Sequence, residues 1–524
     1  MNRWLALGLF GAFVVGLALR LPGLAERPLH TDEAVHAYKF LGLWQQGTYR
    51  YDPDEYHGPS LYYLSLPFAW ASGARTAAAL SESTLRLVPV AFGLGLILLL
   101  PLLRDGLGGA GMVWAAVFTA VSTAFVYYSR YFIHEVPLIF FAALLGAALW
   151  RYWRKPSWGW AALAGLALGL MHATKETLVF HLAALGVAAV ASLWFAPDPR
   201  AAWGELRERL RPGLLALGAA VAVLVSVTLF TSCFSHGDGP LDSLRTYLPW
   251  LGRAGGDSPH IHPWYFYLER VFWFRPVASG PRFSEGLIGL LAVVGMVTAF
   301  LPARWSGGHR GLVRFLAFYT VALLAGYTVI SYKTPWCVLG FLHGLILLAG
   351  VGAAALFRWI RPTWGIVLVF LAVVAGTVQL GSQAWRASRA LATDQRNPYV
   401  YAHTSRDFMR LVNRVLGIAA VEPQPTRLGI NVMAAGGDYW PLPWYLRGFE
   451  EVNWSAGVPE EPYAPVVIAG AQLHAELDEK SEKRWLSAGY YEHRPRVFLE
   501  LFVELELWKR YLDSIPRVPD DDEE

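Results

Sequence analysis

Three short clusters of ionisable residues interrupt long apolar runs: Arg130, His134 and Glu135; His172, Lys175 and Glu176; and Tyr332 with Lys333. Ionisable groups at membrane depth are costly and mark functional sites. A fourth cluster, His30, Thr31, Asp32, Glu33 and His36, follows the first apolar run, and a fifth, Asp52, Asp54, Glu55 and His57, comes soon after it. Carboxylates and cations gathered at a lipid boundary suit a substrate with an apolar tail and a phosphate head. The tail stays in the bilayer while Arg or Lys meets the phosphate. A nearby carboxylate takes the proton of an attacking hydroxyl, and the cations stabilise charge on a departing phosphate. That is the logic of sugar transfer from a polyprenyl phosphate carrier.

Each residue also has a simpler reading. Asp32 follows Thr31 at a helix start, where an acid favours the N-terminus. Glu33 could pair with a loop cation, and Asp52, Asp54 and Glu55 could form a solvated turn around Pro53. Arg130 and Lys333 could snorkel, and Lys175 could pair with its neighbour Glu176. His30, His36 and His57 among these acids leave a divalent cation open, although their spacing matches no tight zinc pattern. No cofactor is required by the sequence. What favours chemistry is the joint placement of the clusters, and that placement depends on the elements that carry them.

Those elements are membrane spans. The chain has 524 residues, 55% hydrophobic and 16% charged, with a mean hydropathy of +0.35. Soluble domains carry about 25% charged residues, so a soluble enzyme and a disordered protein are excluded. Two cysteines, Cys233 and Cys337, are too few for a disulfide framework or a zinc cluster. Runs near the ~20 residues that cross a bilayer fall at 4–20, 83–103, 110–128, 136–153, 157–172, 177–196, 212–232, 285–302, 313–331, 337–356 and 363–384. The first reads as an uncleaved anchor, because no small-residue cleavage site follows it. Residues 59–74, short and broken by Pro67, read as an interfacial helix.

With about eleven spans, the basic residues Arg104, Arg151, Arg154, Lys155, Arg200, Arg207, Arg209, Arg211, Arg304, Arg310, Arg314, Arg358 and Arg361 share the amino-terminal side. By the positive-inside rule that side is cytoplasmic. The expected fold is a mainly α membrane protein: residues 1–384 form a polytopic helical bundle with outer loops 21–82 and 233–284. Residues 385–524 form a small soluble α/β domain outside the cytoplasm. The expected location is the plasma membrane. All five ionisable clusters then face outward together.

Charge divides accordingly: residues 1–384 carry net +10 and residues 385–524 net −6. Within the long loop, His260 to Tyr267, Trp273 and Phe274 read as a segment lying flat on the membrane. In the terminal domain, helical stretches are expected at 404–417 and 472–487 and strands at 427–434, 465–470 and 497–507. Trp440, Trp444 and Tyr445 could stack on sugars or pack in its core, and Asp520 to Glu524 read as a frayed tail.

The same residues carry a resemblance. HTDEAVHAY (30–38), YDPDEYHGPSLYY (51–63), YSRYFIHEVP (128–137), SYKTPWC (331–337), NPYVYAHTSRD (397–407) and GGDYWPLPWYLR (436–447) extend over nearly the whole chain. With the acidic loop, interfacial helix and basic inner loops, the chain resembles the GT-C membrane glycosyltransferases, especially family 39, with its protein O-mannosyltransferases and lipid A aminoarabinose transferase. Within that group it looks most like the prokaryotic flippase activity-associated proteins.

The resemblance implies a polyprenyl-phosphate-sugar donor and inverting transfer of a hexosyl or pentosyl unit on the outer face. The acceptor would be a lipid-linked glycan, a glycolipid or a protein. It implies Asp32 as general base with Glu33 completing the pair. Glu135 stands where the family usually has an aspartate, as an acceptor or metal contact. Arg130 and Lys333 would hold the donor phosphate, Lys175 joins them from topology, and Asp54, Glu55 and His57 would contact substrate. Partners would be membrane lipid and a flippase, and no nucleic acid. A non-catalytic lipid-sugar binding or flippase-associated protein on the same scaffold is the rival reading.

Overall fold

The computed structural model describes residues 2–55, 57–255, 260–302 and 308–516. The acidic run 520–524 and Arg304 of the basic loops lie outside the described residues. The chain divides into two compact units. The first comprises residues up to Leu24, Gly42–Ala71 and Ser83–Tyr401; the second comprises Ala25–Leu41, Ser72–Glu82 and everything from Ala402. The expected boundary at 384/385 thus moves to Tyr401, and two pieces of the first loop belong with the terminal domain.

The helices in chain order begin with α1 (Arg3–Arg20), α2 (Thr31–Gln46), α3 (Ser60–Ser72), α4 (Glu82–Leu99), α5 (Arg104–Leu107), α6 (Gly109–Val121), α7 (Thr123–Tyr128) and α8 (Glu135–Arg154). Then follow α9 (Trp158–His172), α10 (Leu178–Trp194), α11 (Pro199–Arg209), α12 (Pro212–Phe230), α13 (Gly239–Arg245), α14 (Tyr247–Gly255), α15 (Phe266–Phe272) and α16 (Gly286–Thr298). The first unit closes with α17 (Arg310–Val329), α18 (Val338–Trp359) and α19 (Thr363–Ser388). Among the described residues, seven helices are long and apolar enough to cross a membrane: α1, α4 with its continuation to Leu107, α8, α12, α17, α18 and α19. Four shorter apolar helices, α6, α9, α10 and α16, fall on the remaining runs read from sequence. The run 110–128 is broken where Ser122 leaves helical geometry and accepts a hydrogen bond from the Phe125 N–H. Helix α3, with 13 residues, is about 20 Å long and falls short of the ~30 Å hydrocarbon core.

Small residues set how closely these helices approach. A Cβ on Gly165 of α9 would lie 2.2 Å from the Gly218 carbonyl oxygen of α12. One on Gly295 of α16 would lie 2.1 Å from the Leu348 carbonyl of α18, and one on Gly350 of α18 would lie 2.3 Å from that of Gly111 on α6. Where lipid is as apolar as Leu, such backbone contact is what association rests on. Helix α18 is the hub, buried along almost its whole length.

Two buried charges hold this unit together. The Arg20 guanidinium at the end of α1 donates to the carbonyls of Gly16, Ala120 and Thr119 at 3.1, 2.9 and 2.9 Å and to Ser129 Oγ at 3.2 Å. Glu285, just before α16, accepts from Ser122 Oγ at 2.6 Å, the Ala124 N–H at 2.9 Å and the Tyr399 hydroxyl at 2.8 Å.

The second unit has a five-stranded sheet in the order β2-β1-β3-β5-β4. Its strands are β1 (Ile430–Met433), β2 (Val452–Ser455), β3 (Val466–Gly470), β4 (Trp485–Arg494) and β5 (Val497–Glu504). Strand β1 runs parallel to β2 and β3, whereas β5 is antiparallel to β3 and β4. Its helices are α20 (Asp407–Ala419), α21 (Leu442–Tyr445), α22 (Leu477–Lys480) and α23 (Leu505–Ser514). The apolar face of α20, with Phe408, Leu411, Val412 and Val415, packs on Ile430, Ile468, Leu499 and Leu501. The helix expected over 472–487 is confined to Leu477–Lys480. The residues from Trp485 onward pair with β5 instead, because cross-strand pairing outweighs local helix propensity there.

Candidate functional site

In the first unit the site begins with a backbone contact. The Gly58 and Ser60 N–H groups donate to the Thr174 and Ala173 carbonyls at 3.1 and 2.9 Å, just beyond the end of α9. A Cβ at position 58 would lie 2.3 Å from the Ala173 oxygen, so only glycine permits the approach. This contact brings His57 to Glu176: the imidazole Nδ1–H donates to the carboxylate at 2.7 Å. His57 also stacks on Trp250, with centroids 5.4 Å apart and planes 16° apart, and meets the edge of His134 at 5.3 Å. His134 in turn donates to the Gly58 carbonyl at 2.8 Å.

The residue after His134 starts α8, and there Glu135 pairs with Lys175; both side chains are buried. Burial alone would lower the Lys175 ammonium, but the charge of Glu135, its hydrogen bond and the nearby Cys337 and Glu176 together offset it and hold Lys175 above its ordinary range. The expected local pair of Lys175 with Glu176 is therefore replaced by two long-range pairs, one to Glu135 and one to His57.

The aromatic contacts continue from Trp250 to Tyr332, at 6.4 Å, and from Tyr332 to His260, at 4.9 Å. His260 and His262 share hydrogen bonds with the Tyr401 hydroxyl at 2.5 and 3.2 Å. Lys333 joins this group: its backbone N–H donates to the His260 carbonyl at 2.8 Å, and its ammonium donates to the carbonyls of Ile330 and His262. Arg270 of α15 lies with its guanidinium 3.5 Å from the Phe266 ring centroid, and its charge acts on His262. Burial, reinforced by Arg270, His260 and Lys333, lowers the His262 imidazole to about 4. Burial also lowers the Lys333 ammonium and the Arg270 guanidinium. The structure thus builds a cationic patch around a neutral histidine beside the apolar helices α17 and α18.

Arg130 has a different task from the one expected. Its guanidinium donates to the carbonyls of Arg20 and Pro22 at 2.6 and 2.7 Å and of Gly23 at 2.9 Å. These bonds tie α7 and the loop after it to the carbonyls at the end of α1 and just beyond it. Asp54 and Glu55 are exposed, and the Asp54 N–H donates back to the Asp52 carboxylate at 3.0 Å. That is the solvated turn around Pro53.

The second unit holds the other expected acids at the N-terminus of α2. Glu33 is fully buried, gripped by the Arg27 guanidinium at 3.0 and 3.1 Å, and accepts the His30 N–H at 3.0 Å. Its expected partnership in proton transfer gives way to an ion pair that pins the loop. Asp32 differs: its side chain is 32% exposed, with Oδ2 3.9 Å from His30 Nδ1, and its own N–H donates to that nitrogen at 3.1 Å. Below His30 lies His403, edge-on at 5.5 Å. Burial, with Arg27 and His30 adding to it, holds His403 well below its ordinary range. The Thr404 hydroxyl donates to the Leu29 carbonyl at 2.7 Å, and the Tyr445 hydroxyl accepts the Leu29 N–H at 2.9 Å, which fixes the segment leading into α2. Tyr445 is thereby used in packing, as is Trp444, fully buried with its indole N–H on Glu82 at 2.7 Å.

Arg270, His260, His262 and Tyr401 were missed as site residues. The available signal was one arginine, beside Glu269, amid the aromatics of 260–274. Among the described residues no group of three or more His, Cys, Asp or Glu side chains is placed to hold a metal ion.

Residues 13–237 match the family model described as dolichyl-phosphate-mannose-protein mannosyltransferase. The undecaprenyl phosphate-alpha-4-amino-4-deoxy-L-arabinose arabinosyl transferase 2 of Pseudomonas fluorescens is 29% identical over 204 residues, which are 38% of this chain and 32% of that protein. The match thus spans about a third of that relative's length. ArnT from Cupriavidus metallidurans, solved bound to undecaprenyl phosphate, superposes with a TM-score of 0.63 at 15% identity, over 98% of this chain and 99% of that one. The Archaeoglobus fulgidus oligosaccharyltransferase, tethered with an acceptor peptide, superposes with a TM-score of 0.56 at 12% identity, over 97% and 77%. At these identities the likeness establishes the fold.

Proposed function

From the premise that this is a multi-pass membrane protein with the fold of the GT-C membrane glycosyltransferases, we propose that it transfers a sugar from a polyprenyl-phosphate donor to a hydroxyl acceptor, with inversion, outside the cytoplasm. The acceptor hydroxyl attacks the anomeric carbon, its proton passes to Asp32, and the bond to phosphate breaks, releasing polyprenyl phosphate. The observation that carries this reading is the gathering of Lys333 and Arg270 around His262 next to the apolar helices α17 and α18. Cations there can meet a phosphate whose tail remains in lipid. Asp32 is the acid suited to proton transfer because Glu33 is committed to Arg27. Glu135 serves as the counter-ion that keeps Lys175 in place, and the hydrogen bond from His57 holds Glu176. In this reading the amino-terminus is cytoplasmic, the second unit lies outside the plasma membrane, and the acceptor is a glycan, glycolipid or protein.

All three expected phosphate cations already have partners, Arg130 three carbonyls, Lys333 two and Lys175 the Glu135 carboxylate. That favours, as the second reading, a non-catalytic partner that binds or helps to flip lipid-linked sugars. Mass spectrometry of lipid-linked glycans separates the two. A deletion strain loses a glycosylated product; restoring Asp32→Asn in place of the native chain leaves it missing, with donor binding retained. Product formed at the native rate by Asp32→Asn would leave the non-catalytic reading standing.

A further inference from the structure

The second unit carries a row of aromatic rings that the transfer chemistry does not use. Tyr439 and Trp454 lie with ring centroids 4.7 Å apart, Tyr439 and Trp440 6.4 Å apart, and Trp440 meets Tyr38 edge-on at 5.9 Å. Such a row is expected inside a core, yet its two ends face solvent: Tyr38 is 51% and Trp454 37% exposed. Trp454 stands on β2, the edge strand of the sheet. Tyr439 and Trp440 follow Gly436 and Gly437, which hold φ values of 63° and 75° with open space where a side chain would begin. The next residue, Asp438, pairs with the Arg494 guanidinium. The row is fixed from behind, because His493 donates from Nε2 to the Trp440 carbonyl at 2.6 Å. These rings are therefore presented on a rigid frame.

The chemistry selects among ligands. Tyr and Trp rings offer an apolar face with a polar edge, and the carboxylate and guanidinium at their margin make strong directional hydrogen bonds to hydroxyls. A saccharide has the matching shape, with C–H faces that lie on rings and a rim of hydroxyls. A lipid tail has no use for the ion pair. An anionic headgroup or a nucleic acid calls for net positive charge, whereas residues 385–524 carry net −6. We propose that Tyr38, Tyr439, Trp440 and Trp454, with Asp438 and Arg494, form a saccharide-binding platform, and that it holds the glycan part of the acceptor. The second clause rests on the transfer reading; the binding site does not.

The test uses the full-length chain in detergent micelles. The probes are neutral glycans released by mild acid from the lipid-linked fraction of the native membranes, together with free tetrasaccharides of mannose, glucose and galactose. Binding is followed by tryptophan fluorescence and by saturation-transfer NMR. At least one probe should bind saturably, Trp454→Ala and Tyr38→Ala should each weaken it about tenfold, and Trp454→Phe should restore most of the affinity. Asp32→Asn should bind the glycan as the native chain does while failing to transfer. Lost glycan binding in Trp454→Ala together with no transfer by the native chain would sink the transfer reading and leave the platform standing, and normal transfer by Asp32→Asn would sink only the assignment of Asp32 as base. The platform is overturned if no probe binds, if both alanine variants bind as the native chain does, or if Trp454 instead governs binding to phosphatidylglycerol vesicles or to a protein.

Discussion

The loop between α1 and α3 contains two acidic runs of nearly the same composition, His30 to His36 and Asp52 to His57, and the fold treats them in opposite ways. In the first, Glu33 is buried against Arg27 and Asp32 stands partly exposed on that fixed frame. In the second, Asp54 and Glu55 are exposed, and among its described residues His57 is drawn inward to Glu176. An acid's neighbours in sequence thus say little about its task. What matters is whether a cation reaches it in a dry place, because there an unpaired charge costs several kcal/mol, whereas in water it costs almost nothing.

Substitutions can widen or collapse this contrast. Arg27→Met, which strands the Glu33 carboxylate, should destabilise the second unit by about 3–5 kcal/mol, read as a lowered midpoint of thermal unfolding in detergent. The double variant Arg27→Met with Glu33→Leu should recover most of that loss. Asp32→Asn should move the same midpoint little, by less than about 0.5 kcal/mol, while slowing transfer by roughly 10²–10⁴-fold. An Asp32→Asn chain that unfolds as easily as Arg27→Met would erase the distinction between the two neighbours.

A pH series sharpens the same point for buried histidines. Burial, only partly opposed by the Trp440 carbonyl, lowers the His493 imidazole from 6.5 to about 4. Between those values the unfolded chain binds a proton that the folded chain refuses. Stability should therefore be level above pH 6.5 and fall as pH drops toward 4. His493→Gln should flatten that slope, measured as the unfolding midpoint against pH. The smallest effect belongs to the solvated run: Asp54→Asn and Glu55→Gln should shift stability by less than about 0.5 kcal/mol and leave product yield within about twofold.

The apolar helices were legible because lipid imposes a length and a composition on every crossing, and each apolar run became helical, the run 110–128 as two helices broken at Ser122. The sheet was less so. Strand β2 is four residues long, and β4 begins straight after the charged stretch Lys480–Arg484, where only pairing with β5 makes it a strand. Nor could composition show that Ala25–Leu41 belongs with the terminal unit. Two hydrogen bonds to Leu29, from residues about 400 positions away, hold it there. At the candidate site, the ionisable clusters were legible in the sequence and their partners were not. Lys175 and Glu176 are adjacent, yet they reach Glu135 and His57, 40 and 119 positions away. Arg130 looked like a phosphate ligand because nothing in the sequence reveals three carbonyls waiting beyond α1.

Arg20 has a consequence for how the protein is made. Its hydrogen-bond acceptors on Thr119, Ala120 and Ser129 lie 99 to 109 residues downstream. At the usual ~5–20 residues per second of synthesis, α1 must wait about 5–20 seconds before those groups have been translated. During that interval a guanidinium destined for complete burial is held by water, headgroups or the insertion machinery. The amino-terminal helix therefore cannot make these contacts when it is first inserted, and its packing is completed only when α6 and α7 arrive to receive the guanidinium.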